Sequence, residues 1–336
     1  MTYDVLVTGS AGHLGTALML ALPGLGFSPL GMDILPSDTT TVVGSITDRD
    51  LVAQIMQRHP IQHVLHAATL HKPHVGTHSK QQFIDTNVTG TLILLEEAAR
   101  ARKRDSNLAS FVFFSTTSAF GHALSPPAGS PAAWIDEGVV PVPKNIYGAS
   151  KVAAEDMCRL VHAEHGLPVM VLRTSRFFPE DDDDERRRAA MDGDNLKLLE
   201  LAYRRCDIAD IVSAAVCAMK KAVEIGWARY IISAPPPFSN DAATLGALDS
   251  DPASVLRSVI PELDAVLEQR GWRHLERIDR VYDSGKAVCE LGWRPEYTLP
   301  SVVEKLRAGE HWQSELTSRV GRKGYHAENT GVYTVR

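Results

Sequence analysis

The stretch Tyr3-Asp-Val-Leu-Val-Thr-Gly9-Ser-Ala-Gly12-His-Leu-Gly15-Thr-Ala-Leu-Met-Leu-Ala-Leu22 decides how the rest of the chain is read. Its apolar run, Val5 to Val7, reads as a buried strand and meets three glycines where the hydrophobic period turns helical. That is a strand, a tight turn and a helix. Glycines let such a turn come close to a pyrophosphate, while the helix N-terminus offers uncommitted N–H groups and a positive dipole end to its charge. A dinucleotide is therefore expected on Gly9, Gly12, His13, Leu14 and Gly15. The spacing is G-x-x-G-x-x-G rather than G-x-G-x-x-G, and glycines that serve only a turn are the plain alternative.

At 336 residues and 44% hydrophobic content, the chain can bury a substantial core, and one large domain with a smaller appendage is expected. A formal charge of −6 leaves no basic footprint for nucleic acid, and no basic helix suggests a membrane surface. No apolar run approaches the roughly 20 residues of a membrane span, and the chain enters its first strand without a basic leader. Cys158, Cys206, Cys217 and Cys289 lack C-x-x-C spacing, which argues against a zinc site or disulfide framework and for reduced, cytoplasmic thiols. A soluble cytoplasmic protein with a small, neutral or anionic ligand is the expectation.

Working outward, Phe27 to Met32 reads as a second strand closing on Asp33. A carboxylate there can accept from the adenosine ribose hydroxyls and would repel a 2′-phosphate, and no arginine follows in Ile34-Leu35-Pro36, so NAD is favoured over NADP. A short strand at 41–43 leads past Ser45 and Ile46 to a helix capped by Thr47 or Asp48 and running to about His59. Residues 61–68 make another buried strand whose small end residues, Ala67 and Ala68, leave space for the cofactor. In His71-Lys-Pro-His74-Val-Gly-Thr-His78, Pro73 and Gly76 interrupt any helical ligand spacing and no acid completes a set. No metal is expected, and the segment reads as a loop over the site.

Residues 80–104 carry helical spacing with a basic C-terminal end, and Asn87 inside them can back-bond or point inward. Phe111 to Ser115 is the next strand, ending in the hydroxyls Ser115, Thr116, Thr117 and Ser118. Residues 121–143 read as a long surface excursion. A helix from Asn145 to about His165 carries Tyr147, Ser150 and Lys151, and a strand at 168–172 follows. Beyond Arg173 the pattern weakens. The charge run 181–188 reads as a solvated loop passing into a helix start, without the glycine and spaced ligands of a calcium loop. Helices at 208–223, near 252–269 and at 300–310, with a strand at 230–233, complete a smaller region, and the polar tail from 319 is expected to fold only against the body or a partner.

Positions i and i+4 share a helix face, so Tyr147 and Lys151 project together. A phenol titrates near 10, and a neighbouring ammonium favours the phenolate. Tyr147 is thus a candidate acceptor for a substrate hydroxyl proton, Thr116 can orient that hydroxyl, and Lys151 can hold the nicotinamide ribose. A Tyr-x-x-x-Lys pair alone is usually surface decoration. Here it follows a dinucleotide pattern and a strand-end hydroxyl cluster in order.

With these residues the chain resembles the extended short-chain dehydrogenase/reductases, the NAD-dependent epimerase/dehydratase group. The likeness covers roughly residues 3–176, through Gly9, Gly12, Gly15, His66-Ala-Ala68, Asn87-Val-Thr-Gly, Ser115-Thr-Thr-Ser-Ala-Phe-Gly121 and Tyr147-Gly-Ala-Ser-Lys151. It returns at 282–299 with Tyr-Asp-Ser-Gly-Lys-Ala and Glu-Leu-Gly-Trp-Arg-Pro. The resemblance implies a Rossmann-type α/β fold, a doubly wound parallel sheet over 1–173 with a smaller C-terminal substrate-binding region over 174–318 and a tail at 319–336. It implies catalytic roles for Thr116, Tyr147 and Lys151, cofactor contacts that include Asn87, and a homodimer through the helices at 80–104 and 145–165.

Departures from the family pattern bear on substrate. Ser45 stands where an Asp commonly meets adenine, and Thr117-Ser118 replace the Asp-Glu of 4,6-dehydratases. The segment Thr174-Ser175-Arg176-Phe177 lacks the Asn that meets a sugar-nucleotide diphosphate and looks like that of uronate dehydrogenases, where Arg176 could grip a carboxylate. Thr116, Thr117, Ser118 and Arg176 are the expected substrate contacts. Three readings stand: an oxidoreductase or epimerase acting on a secondary hydroxyl of a sugar, sugar acid or nucleotide sugar; a uronate-like sugar-acid dehydrogenase; and a non-catalytic dinucleotide-binding regulatory protein.

Overall fold

Strand β1 (Val5–Thr8) is buried along its whole length, as a strand covered on both faces must be. It lies inside a seven-stranded parallel sheet, third from one edge. β2 (Pro29–Asp33) and β3 (Val42–Val43) extend the sheet on one side. On the other side follow β4 (His63–His66), β5 (Ser110–Thr116), then, after β6 (Ala133–Ile135) outside the sheet, β7 (Val169–Thr174). β8 (Arg176–Phe177) and β9 (Arg205–Cys206) pair with each other, and β10 (Trp227–Ile232) returns to the edge beside β7. The spatial order is β10-β7-β5-β4-β1-β2-β3. Its direction reverses between β1 and β4, and the crevice beyond their carboxyl ends is where such sheets bind ligands. The computed structural model describes residues 2–324 apart from Ser106, Ser125 and 182–184, with the backbone alone at 185 and 186.

Alternate side chains of the strands feed two cores. Val5, Val7, Leu65, Val112, Phe114 and Leu172 pack on α1 (His13–Ala21) and, from further along the chain, on residues 208–225. Leu6, Val64, Phe111, Phe113 and Val171 face α2 (Arg49–Arg58) and the helical run at 80–105. Asp48, not Thr47, caps α2 by accepting from Leu51 N at 3.0 Å. The run at 80–105 is not one regular helix: α3 (Lys80–Phe83) passes through a π-helical turn, Ile84–Thr89, into α4 (Gly90–Asp105). Asn87 sits in that turn, and π-turns recur at functional sites. Asn145 caps α5 (Ile146–His165) by accepting from Gly148 N at 3.0 Å, and Gly166, at φ 64°, ends it.

The smaller region follows β7. α6 (Glu185–Ala190) and α7 (Gly193–Glu200) precede α8 (Ile208–Ile225), which belongs to the main body. α9 (Ala242–Ser250), α10 (Pro252–Val259) and α11 (Leu263–Gln269) share a core with α7 through Leu196, Leu199, Leu256 and Leu263. β11 (Arg280–Tyr282) precedes α12 (Gly285–Leu291), α13 (Leu299–Arg307) and α14 (Glu315–Val320). The stretch 121–143 corrects an expectation. It carries β6, paired in parallel with β11, and Glu137 accepts from Ile231 N at 2.7 Å, so the excursion is a strap joining the two regions. Its partners lie some hundred residues downstream, and no local pattern announces them.

Candidate active site

The glycines of the first turn divide the work. Gly9 has φ 74°, and a Cβ there would lie 2.6 Å from Ala68 N, so its bare backbone lets the turn press onto the end of β4. A Cβ at Gly15 would overlap the Gly9 carbonyl oxygen, closing the turn on itself. At Gly12 a Cβ would meet only Gly9 O, at 3.3 Å, and this glycine opens onto the cavity. Gly12 gives α1 no side-chain cap, which leaves the first helical N–H groups for an anion. Asp33, at the tip of β2, accepts from Ala11 N at 3.0 Å and from Leu35 N at 2.9 Å. These groups, with His13, Leu14, Gly15, Ser45, Ile46, Ala67 and Ala68, line one cavity of about 1260 Å³. A turn stripped of Cβ atoms, a bare helix start and a strand-end carboxylate suit a dinucleotide.

The same cavity continues to Thr116, Thr117, Ser118, Tyr147 and Arg176. β5 delivers Thr116 at its carboxyl end and α5 delivers Tyr147 from its first turn, so both line the cavity. Burial pushes the Tyr147 phenol up to about 12; the Thr116 hydroxyl works against this and the Glu180 carboxylate adds to it. The expectation that Lys151 would tip Tyr147 towards phenolate therefore needs correcting. The Lys151 amine is itself buried over the Phe113 ring, 3.9 Å from its centre, and burial brings it down to about 7 against the pull of Cys158 and Glu155. An amine carrying its charge only part of the time at neutral pH is a weak support for phenolate.

Two expected site residues lie behind the cavity wall. Lys151 is one, beneath Tyr147. Asn87, expected at the cofactor, is the other, and the structure instead makes it a brace. Its amide accepts from Leu70 N (2.8 Å) and Thr69 Oγ1 (3.0 Å) and donates to Leu70 O (2.8 Å) and Ser150 Oγ (2.9 Å), tying the cavity-lining segment after β4 to α5. His71 and His74 line the cavity as expected of a loop over the site, with the His71 ring edge-on to Tyr147. Among the described residues, no group of three His, Cys, Asp or Glu could hold a metal ion.

Behind the strand ends lies a buried network. Glu155 accepts from Ser115 Oγ at 2.6 Å and pairs bidentately with Arg173 at 2.7–3.2 Å. It fixes the end of β5 against α5 and β7, one residue from Thr116. The far end of the cavity is lined by Arg187, Arg204, Arg273, Arg277 and Arg280, which the sequence reading did not single out, from three separate segments. Lys323 lines the cavity at the glycine turn instead. The charge run contributes Asp181, which pairs with Lys197 and Arg322 at 2.9 Å each, and Arg187, which donates to Tyr203 OH at 2.9 Å. Residues 182–184 of that run, and 325–336 of the tail, lie outside the described residues.

The sequence profile of the NAD-dependent epimerase/dehydratase family matches residues 5–228. The chain belongs to this family. It is 30% identical over 177 residues to a UDP-glucose 4-epimerase of Rhizobium meliloti, covering 51% of this chain and 50% of that protein. It is 32% identical over 226 residues to a dTDP-glucose 4,6-dehydratase of Streptomyces niveus, covering 60% and 63%. The chain thus spans about half the length of the UDP-glucose 4-epimerases it matches. In fold it is similar to the Thermotoga maritima UDP-glucose 4-epimerase solved with UDP-glucose, with TM-score 0.61, 21% identity, and 91% of this chain and 99% of that chain covered. The Bacillus cereus UDP-glucuronic acid 4-epimerase in complex with NAD gives TM-score 0.59 at 18% identity, covering 93% and 100%. Among the described residues no helix is long and apolar enough to cross a membrane.

Proposed function

We propose that the protein is an NAD-dependent enzyme that oxidises, and in an epimerase re-reduces, a secondary hydroxyl carbon of a nucleotide-linked sugar. One observation carries the reading: a single cavity is lined by the Gly12 turn and by both Thr116 and Tyr147. NAD, when bound, supplies the hydride acceptor. Gly12 and the first N–H groups of α1 hold its diphosphate, Asp33 accepts from the adenosine ribose, and Ala67 and Ala68 make room. Thr116 orients the substrate hydroxyl and Tyr147 takes its proton, with Lys151 one turn further along α5. Burial holds the Tyr147 phenol above its ordinary value in the free protein, and the oxidised cofactor would supply a positive charge when bound.

Of the cavity-lining arginines, Arg187 and Arg204 pair with Glu200, Arg277 with Asp249 and Arg280 with Asp279, so a substrate anion such as a nucleoside diphosphate would have to share these cations with their carboxylates. Thr117 and Ser118, in place of paired carboxylates, favour epimerisation or oxidation over dehydration. Arg176, in the cavity wall, favours a second reading in which the substrate is a sugar acid and NADH is released. A panel of UDP-sugars, dTDP-sugars and uronates with NAD, read for NADH and product stereochemistry, separates the two. Tyr147→Phe is expected to cut turnover of the true substrate by about 10²–10⁴-fold with NAD affinity unchanged. Unchanged turnover overturns the mechanism, whereas wild type that turns over no sugar of the panel leaves the non-catalytic reading.

The assembly we propose is a homodimer through α3 to α5, supported by the exposed apolar side chains Ile84 and Leu160 on those segments. The setting is the reducing cytoplasm, supported by four free cysteines.

A further inference from the structure

Beyond α14 the chain folds back across the glycine-rich turn. Its anchor is buried: Ser314 N and Oγ donate to Asp207 at 2.9 and 2.6 Å, and Thr317 Oγ1 donates to Asp207 at 3.1 Å. From there Arg322 pairs with Asp181 at 2.9 Å, and the Lys323 N–H donates to His13 Nε2 at 2.8 Å. The Lys323 ammonium donates to Ala11 O at 2.8 Å and to Thr16 Oγ1 at 2.6 Å. An ammonium has three donors. Two are spent here on neutral oxygens, and no carboxylate among the described residues lies within ion-pair distance. Asp33 acts on it only at longer range, and burial makes its charge costly. A half-buried cation in the wall of an anion-binding turn, with neutral partners only, is incomplete without an anion.

We infer that Lys323 is a binding residue for the diphosphate of the dinucleotide, carried to the glycine turn by the C-terminal segment from 310 residues downstream of His13. This rests on the dinucleotide reading above. The segment thereby gains a function: it adds a fixed positive charge that the glycines and the helix start lack. Nothing near the turn in sequence encodes this charge, because α14 must first dock on α1 and α8.

The test is a titration of the full chain and of K323M and K323R with NADH, NADP, ADP-ribose and adenosine, with thermal midpoints recorded to confirm folding. K323M is expected to bind NADH and ADP-ribose about tenfold more weakly, to bind adenosine as before, and to show a shallower salt dependence. K323R should recover most of the affinity. Equal binding of NADH by wild type and K323M overturns the assignment. So does a loss that extends to adenosine, which marks a collapsed turn, or a loss confined to NADP, which marks a contact to the ribose phosphate. Wild type that binds no dinucleotide overturns the underlying reading as well.

Discussion

The cofactor half and the substrate half of the cavity are built in opposite ways. On the cofactor side the groups are backbone and strand ends: Gly9, Gly12, Asp33 and Ala67–Ala68, all set by parallel strands β1, β2 and β4. On the substrate side they are long charged side chains, Arg187, Arg204, Arg273, Arg277 and Arg280, brought together from distant segments. A wall of backbone offers one fixed geometry for one ligand. A wall of arginines can be rewritten residue by residue, which is how one fold takes different substrates.

Glu155 braces the strand ends beside Thr116 through Ser115 and Arg173, and removing it is the severest test of that scaffold. Glu155→Gln leaves Arg173 buried without its counter-ion, and a loss of about 3–5 kcal/mol in unfolding free energy is expected, read by urea denaturation. If stability holds, the strand ends are not braced there. Next, Gly15→Ala forces a Cβ against the Gly9 carbonyl. An overpacking cost of about 1–3 kcal/mol should appear as roughly 10- to 100-fold weaker NAD binding by calorimetry.

Lys151→Met sharpens the contrast between function and stability. The amine has its folded pKa lowered to about 7, whereas an unfolded lysine holds its proton to about 10.4. Its burial therefore costs stability at neutral pH, and the cost fades as pH rises towards the unfolded value. The methionine variant should be about 1–2 kcal/mol more stable at pH 7, with the gain shrinking in alkaline melts, and inactive. Last, Arg176→Ala should raise the substrate KM by about tenfold and leave NAD affinity untouched. A fall in NAD affinity instead would mean that the two halves are not separable.

This division also sets what the sequence discloses. The strand, turn and helix at 5–21 are local: period, glycines and cap sit within a few residues, so β1, α1 and the dinucleotide turn are readable. Thr116, Tyr147 and Arg176 reach the cavity as their positions suggest, because each lies at a strand end or on a first helical turn. Asn87 is legible only in part. Its position in the motif is visible, but the π-turn that aims its amide at Leu70 and Ser150 is a tertiary outcome. The β6–β11 pairing and the arginine wall are less visible still, since each depends on which distant segment arrives. Lys323 is the extreme case, a charge that only docking of α14 delivers.

The most direct test is a crystal structure of the protein with NAD and an unreactive sugar-nucleotide analogue. The account predicts the diphosphate on the Gly12 turn, the nicotinamide ring reaching towards Tyr147, and the sugar hydroxyl within hydrogen-bond range, about 2.6–3.2 Å, of both Tyr147 and Thr116. An empty turn, or a sugar bound elsewhere with the Tyr147 hydroxyl facing solvent, would contradict it.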